Sequence, residues 1–506
     1  MRMAQVRPRL LVDGATMAEE SLTALDATFL ELEEADQGAH MHIGAVMVFE
    51  RRADGSAPRT AAVIEHLESR LDALPRFRQR LSSPKTGGFG WPRWVADERF
   101  NLASHIQRVR LPAPAGEDEL LDWAGEFFSE RLDRTRPLWE IAIIEGLAGG
   151  GWALATKTHH CMVDGVGSVD IGRVILDGER VPDEDWARDA SPDADLSNLE
   201  RASANGSRPS LMTVSRHLAE LPLKLSAVGL RLARRSAGAA RHPERVGDVL
   251  RRSRAMVDLL VRDEVVAAPR TSLNVRIGGK RRLAVERVPL ASLKSIRAEL
   301  GGTVNDVVLA ATAGGLRRLL LARGEEPPRN GLRAMVPVNL REAAEQLSLG
   351  NRITSLFVHL PVAEDRALDR YARQVQEAES LKSGTQALGS RALIDLAGHA
   401  PPLIHTFLAR SLFATRLFNV TITNVPGPQA PLYAFGSRLT DVWPLVPLAA
   451  EHAVALAVFS YDGQVFFALN VDRDAVPDLD LLAEGIASEI AELLELTSAR
   501  TPVRTG

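Results

Sequence analysis

Residues Gly151 to Gly167 read GWALATKTHHCMVDGVG, and the fold and the chemistry of the chain both turn on this stretch. Trp152, Leu154, Thr156 and Thr158 alternate with Ala153, Ala155, Lys157 and His159 at the period of a strand. Gly149, Gly150 and Gly151 ahead of them supply the positive φ of a tight turn. His159 and His160 therefore sit at a strand's C-terminal end. Neighbours on a strand point to opposite faces, so one imidazole is expected to face a site and the other to support it. Asp164-Gly165 follows, and from Gly167 to Leu176 the apolar spacing becomes helical, which pinches a loop between strand end and helix start. An imidazole titrates near neutrality, at ~6.5 unperturbed, and is the usual group for taking a proton from a hydroxyl. The Asp164 carboxylate is placed either to fix the ring's tautomer or to anchor the loop through an arginine.

Two other chemistries compete for this stretch. Zinc needs three or four ligands in one constellation, and no HExxH, CxxC or second histidine cluster accompanies the pair, so no metal is expected. Cys161 is a candidate nucleophile, but it follows His160 directly, and the two side chains diverge if the strand continues.

The 506 residues exceed one ordinary core, and two domains are the expectation. With 61 basic against 65 acidic residues, nothing in the overall charge points to nucleic acid. Cys161 is the only cysteine, which excludes an intramolecular disulfide and suits a reducing cytosol. The opening MRMAQVRPRLLVDG lacks the apolar run of a signal peptide, and no stretch reaches the ~18 to ~20 apolar residues of a membrane span. A cytoplasmic location is the expectation, with any contact with the inner membrane face or lipid droplets peripheral.

Leu22 to Glu33 is a compact apolar segment, and His40 to Glu50 reads as a strand. His40 and His42 share a strand face; they either line a site or, the blander reading, are partly exposed strand histidines. Thr60 to Leu81 has helical spacing, with Pro75 as a stop or kink. Glu117 to Leu132 is helix-like, and Ile141 to Leu147 is a buried strand hairpinned through the glycines into the histidine strand. An acidic, Pro/Ser/Asp-rich run from Asp177 to about Asp195 reads as a linker. Arg208 to Arg254 is the reverse, with eleven Lys/Arg against three acidic residues and apolar stripes at helical spacing. It is either a helical crossover between domains or a basic surface for an anionic membrane or lipid droplet. The division expected is 1–200, 201–265 and 266–500.

In the second half Arg281 to Pro289 reads as a strand, Leu290 to Leu300 as a helix stopped by Gly301-Gly302, and a long helix opens at Thr303 and runs to about Ala322. Asn305 and Asp306 near its start either cap the helix or stabilise negative charge on a reacting carbonyl. Ala334 to Arg341, Gly350 to Leu360 and Asn419 to Pro428 are strand-like, and Leu368 to Leu388 is helical. Ala453 to Val471 forms a hairpin through Asp462-Gly463, and Asp478 to Leu496 is an amphipathic helix. A strand ending in Asp-Gly thus occurs in both halves, a weak internal echo.

The block HHCMVDG at 159–165 resembles the HHxxxDG signature of the CoA-dependent acyltransferase superfamily. Pro137-Leu138-Trp139 is similar to the PLW motif of the bacterial wax ester synthase/diacylglycerol acyltransferase family, and Asn305-Asp306 to its ND motif. Pro337 to Arg341, Leu349-Gly350-Asn351 and Asn424 to Pro428 also resemble segments of that family. The resemblance implies an α/β (α+β) fold of two chloramphenicol-acetyltransferase-like domains, each a mixed β-sheet flanked by helices, with the active-site tunnel at their interface. It implies acyl-CoA as co-substrate, no permanent cofactor, and diacylglycerol or a fatty alcohol as acceptor, so that triacylglycerol or wax esters form. It assigns His160 as general base, His159 and Asp164 as loop support, and Gly165 to the turn. Asn305 is the candidate for orienting the acyl carbonyl; Pro137, Leu138, Trp139 and Asp306 support the site. The alternatives are an acyltransferase acting on a polyketide diol or sugar, and a lipid-surface protein of the same fold without turnover.

Overall fold

The computed structural model describes residues 20–82, 92–162, 172, 174–180, 268–339, 353–383 and 418–498. They belong to one unit built from 1–183 and 266–506; a second unit, 184–265, lies outside the described residues, and with it the basic segment 208–254. Two six-stranded mixed sheets and a small three-stranded sheet carry the fold. The strands are β1 (Glu20–Ser21), β2 (His42–Phe49), β3 (Gln79–Ser82), β4 (Arg93–Ala96), β5 (Ile106–Ala115), β6 (Trp139–Leu147) and β7 (Trp152–His159). The later ones are β8 (Arg281–Pro289), β9 (Leu332–Asn339), β10 (Ile353–Leu360), β11 (Val420–Pro426), β12 (Tyr433–Ala434), β13 (Ser437–Leu445), β14 (Val454–Tyr461) and β15 (Gln464–Asp472). The helices are α1 (Ala24–Ala35), α2 (Thr60–Glu68), α3 (Glu117–Ser129), α4 (Leu290–Leu300), α5 (Val304–Ala322), α6 (Ala367–Ser383) and α7 (Leu479–Ser498).

The first large sheet runs β12-β13-β2-β7-β6-β5, the second β10-β9-β11-β14-β15-β8. The sheets do not follow the linear order of the chain: β13, from the C-terminal third, pairs antiparallel with β2, setting Trp443 opposite Val46. Each large sheet covers its own hydrophobic core. Phe29 of α1 packs against both cores, so α1 stands at their seam.

β7 is an inner strand of the first sheet, and all eight of its residues are buried. Its period-2 pattern therefore marks two covered faces rather than one wet and one dry. The hairpin from β6 turns through Gly149 and Gly150, at φ 73° and 77°, a region that costs glycine little. The β14–β15 turn likewise places Asp462 and Gly463 at φ 45° and 80°, both positive as a two-residue hairpin requires. Helix α5 opens with a reciprocal cap, in which the Thr303 hydroxyl accepts from the Asp306 N–H at 3.3 Å and the Asp306 carboxylate accepts from the Thr303 N–H at 2.7 Å.

Two expectations are corrected. Thr60 to Leu81 is not a helical stretch stopped or kinked at Pro75: α2 already ends at Glu68, two short 3-10 turns follow, and β3 begins at Gln79. Leu74 precedes Pro75 and is held at φ −124°, ψ 66°, because the proline ring clashes with a helical residue before it. His40 and His42 are not partly exposed strand histidines but are 6% and 4% exposed. The loop that leads into β8 covers this end of β2: the buried Arg281 guanidinium donates to the Gly38 carbonyl, and a methyl group added at Gly279 would stand 3.9 Å from the His40 ring.

Candidate active site

The C-terminal end of β7 is held from both sides. The His159 N–H donates to the Leu138 carbonyl at 2.9 Å, and the His160 N–H donates to the Met41 carbonyl at 2.8 Å, beside β6 and β2 respectively. Successive peptides thus bond in opposite directions, as in any sheet, and the two imidazoles leave on opposite faces.

His159 is 1% exposed. Its Nε2 stands 2.6 Å from the Glu33 carboxylate of α1, and its Nδ1 accepts from the Cys161 N–H at 3.1 Å. Burial holds its pKa below the ordinary imidazole value, although Glu33 pulls the other way, so the ring is neutral at pH 7. Glu33 is itself buried, which raises its pKa, but the His159 hydrogen bond and the cations of Arg134 and Arg131 outweigh burial and hold it below the usual carboxylate range. Those guanidinium groups stand 3.8 and 3.7 Å from it.

His160 is more exposed than His159, and its ring stacks on Phe29 with centroids 3.9 Å apart and planes inclined by 17°. Since Phe29 touches both hydrophobic cores, His160 lies at their seam. The adjacent Cys161 is buried, and burial pushes its thiol well above the ordinary value, with Asp26 and Glu33 adding to the rise. It remains a protonated thiol near neutrality, which weakens it as a nucleophile. Asp164 and Gly165 lie outside the described residues.

The Pro137-Leu138-Trp139 segment braces the same strand end. Leu138 supplies the carbonyl that holds His159, and Trp139 pairs with Thr158 across β6 and β7. The Trp139 indole is fixed in turn: its Nε1–H donates to the Phe77 carbonyl at 2.9 Å, and it stacks on His105 at 4.4 Å. Of the ND pair, Asp306 is consumed in capping α5. Asn305 does not cap; its Oδ1 accepts from Asn424 Nδ2 of β11 at 3.1 Å, so two motifs 119 residues apart meet in one amide pair. Asn305 is thus tied to β11, while the His160 ring rests on Phe29 of α1.

His42 lies opposite His159 in the β2–β7 register, rings 6.2 Å apart, with His40 5.7 Å further along. Burial depresses both, His40 to about 4, where Arg281 and Arg131 add to the effect. Among the described residues no group of three or more His, Cys, Asp or Glu is arranged to hold a metal, and no helix is long and apolar enough to cross a membrane.

Sequence reasoning missed Glu33, Phe29 and Met41 as site residues, and read Asn424 only as part of a family-like segment without its Asn305 partner. One signal was available: Phe29 and Glu33 are four apart in a helical segment, so an acidic group sits in line with the apolar stripe of α1. Its partner, 126 residues away, left no local trace.

Residues 22–308 match the family model described as the wax ester synthase/diacylglycerol acyltransferase catalytic domain, and residues 349–494 match the WS/DGAT C-terminal domain. A protein of Mycobacterium tuberculosis (strain H37Rv), named "Probable diacyglycerol O-acyltransferase", is 32% identical over 485 residues, covering 96% of this chain and 97% of its own. A solved structure, the wax ester synthase/diacylglycerol acyltransferase from Marinobacter aquaeolei VT8, matches with a TM-score of 0.66 and 26% identity, over 95% of this chain and all of that one. The starter condensation domain of rhizomide synthetase, at TM-score 0.55 and 16% identity over 95% of each chain, shares the fold alone. With both family models matched along most of its length, and a histidine pair braced where its two cores meet, this chain belongs to the wax ester synthase/diacylglycerol acyltransferase family and is an acyltransferase.

Proposed function

We propose that the protein esterifies diacylglycerol, or a long-chain alcohol, with the fatty acyl group of acyl-CoA, and that His160 is the general base. The imidazole takes the hydroxyl proton as the alcohol oxygen attacks the thioester carbonyl. The C–O bond forms, the C–S bond breaks, and the proton passes to the departing sulfur, so that CoA leaves as a thiol. No acyl-enzyme is needed, which agrees with the buried, protonated Cys161. The observation that carries this reading is the contrast between the two histidines. His159 is fully buried with both ring nitrogens engaged inside the fold, whereas His160 is less buried and its ring stacks on Phe29 at the seam of the cores.

Asn305 is the proposed carbonyl partner. With its Oδ1 engaged by Asn424, its NH₂ is left to donate to an acyl oxygen. Asp164 and Gly165 are proposed to anchor and turn the loop after His160, and 201–265 to link acyltransferase-like regions at 1–200 and 266–500. The basic segment 208–254 is proposed as a peripheral contact with an anionic membrane or lipid droplet; unchanged flotation after its deletion would remove that role. The names of the mycobacterial relatives favour diacylglycerol as acceptor over a fatty alcohol. The test is thiol release from palmitoyl-CoA against diacylglycerol, hexadecanol, a diol and a sugar. Release with diacylglycerol or hexadecanol above the rate with water supports the proposal; release only with the diol or sugar moves the acceptor class, and release with none rejects it.

A further inference from the structure

The structure makes α1 the reference frame for the proposed base, and the inference that follows rests on the reading of His160 given above. We propose that Glu33 is a positioning residue for His160, acting through the tautomer of His159 on the peptide that joins His160 to Cys161.

The His159 ring lies between two groups of fixed character. On its Nε2 side, at 2.6 Å, is a carboxylate that only accepts; on its Nδ1 side, at 3.1 Å, is the Cys161 backbone N–H, which only donates. Only the neutral ring with its proton on Nε2 satisfies both. An imidazolium, or the ring protonated on Nδ1, would set a donor against the Cys161 N–H. Burial of the ring keeps it neutral, and Arg131 and Arg134 keep Glu33 ionised.

The consequence reaches His160 because its Cα is flanked by two peptides, and both are then fixed. The preceding one is tied by the His160 N–H to the Met41 carbonyl at 2.8 Å, the following one by the Cys161 N–H to His159. Two fixed peptide planes fix the Cα–Cβ direction between them. The Phe29 ring, 3.9 Å away, then sets the plane of the imidazole. Phe29 and Glu33 are one turn apart on α1, so a single rigid helix sets both the direction and the plane of the base.

The test compares His159→Asn with His159→Gln in the full-length protein. Asn places an oxygen near the position of Nδ1 and keeps an acceptor for the Cys161 N–H; Gln places an amide near Nε2 and keeps a donor for Glu33. The expected result is a kcat at least about 10-fold higher for His159→Asn than for His159→Gln, since misplacing a reacting group by ~1 Å costs about 10²-fold. In Glu33→Gln, whose amide tolerates either tautomer, kcat should fall by roughly 10-fold with KM for acyl-CoA within about twofold of wild type. The ¹⁵N signature of His159 should move from pure Nε2–H in wild type to a mixture in Glu33→Gln. Equal activity of the two His159 variants, or the higher activity in Gln, would overturn the proposal, as would an unchanged tautomer in Glu33→Gln. Activity retained in His160→Ala would instead reject the base itself, and the ¹⁵N measurement reads Glu33 separately from that failure.

Discussion

Acid should weaken this fold through histidines that burial keeps neutral, and His40 is the one whose contribution can be sized. It is 6% exposed, and its pKa is pushed down to about 4 by burial first and by the Arg281 and Arg131 cations second, with Glu33 opposing. Its ordinary value is 6.5. Between those two values the unfolded chain carries a proton on this ring and the folded chain does not. Stability therefore falls as pH drops from 6.5 toward 4, and this ring leaves it flat above 6.5. At 1.36 kcal/mol for each pH unit, the whole window is worth about 3 kcal/mol. His42, His66, His105, His159 and His452 are depressed by burial too and add to the same trend. Urea unfolding followed by tryptophan fluorescence, repeated from pH 7.5 to pH 4.5, measures the slope. His40→Gln removes the titration whatever it does to stability at neutral pH, so the slope below pH 6 should flatten by about 1.4 kcal/mol per pH unit. A variant whose slope matches wild type would refute the reasoning.

Other outcomes follow from single contacts. Thr303→Ala deletes one side of the cap on α5 and should lower stability by ~1 kcal/mol, read as a shifted urea midpoint; an unchanged midpoint would show that Asp306 caps alone. Cys161→Ala keeps the backbone N–H that His159 accepts and loses only a protonated thiol, so thiol release should stay within about threefold of wild type. Its loss would restore the nucleophile reading.

The elements legible in the sequence were those set by neighbours in the chain. Arg281–Pro289 and Leu290–Leu300 have the bounds read from the pattern, because the hydrophobic period changes from 2 to 3.6 at Leu290 and Gly301, at φ 82°, ends the helix. The divergence of His159 and His160 was legible for the same reason, being a property of any strand. What was not legible depends on residues brought together by the fold. The Glu33–His159 and Asn305–Asn424 bonds span more than a hundred residues each, and the insertion of β13 beside β2 has no local signature. The burial of His40 and His42 belongs here as well, since the loop that closes over this end of β2 through the Arg281–Gly38 bond lies more than two hundred residues further along the chain. The long helix expected from Thr60 failed differently: its apolar spacing continued past Glu68, but Pro75 set the backbone of Leu74 outside the helical region.

The ring of His160 is the proposed base for the acceptor's hydroxyl proton. Thiol release from acyl-CoA in the presence of diacylglycerol, compared between wild type and His160→Ala at matched urea midpoints, tests it most directly. The expected result is a kcat lowered by ~10² to ~10⁴ with the fold intact; turnover near the wild-type rate in the folded variant would contradict it.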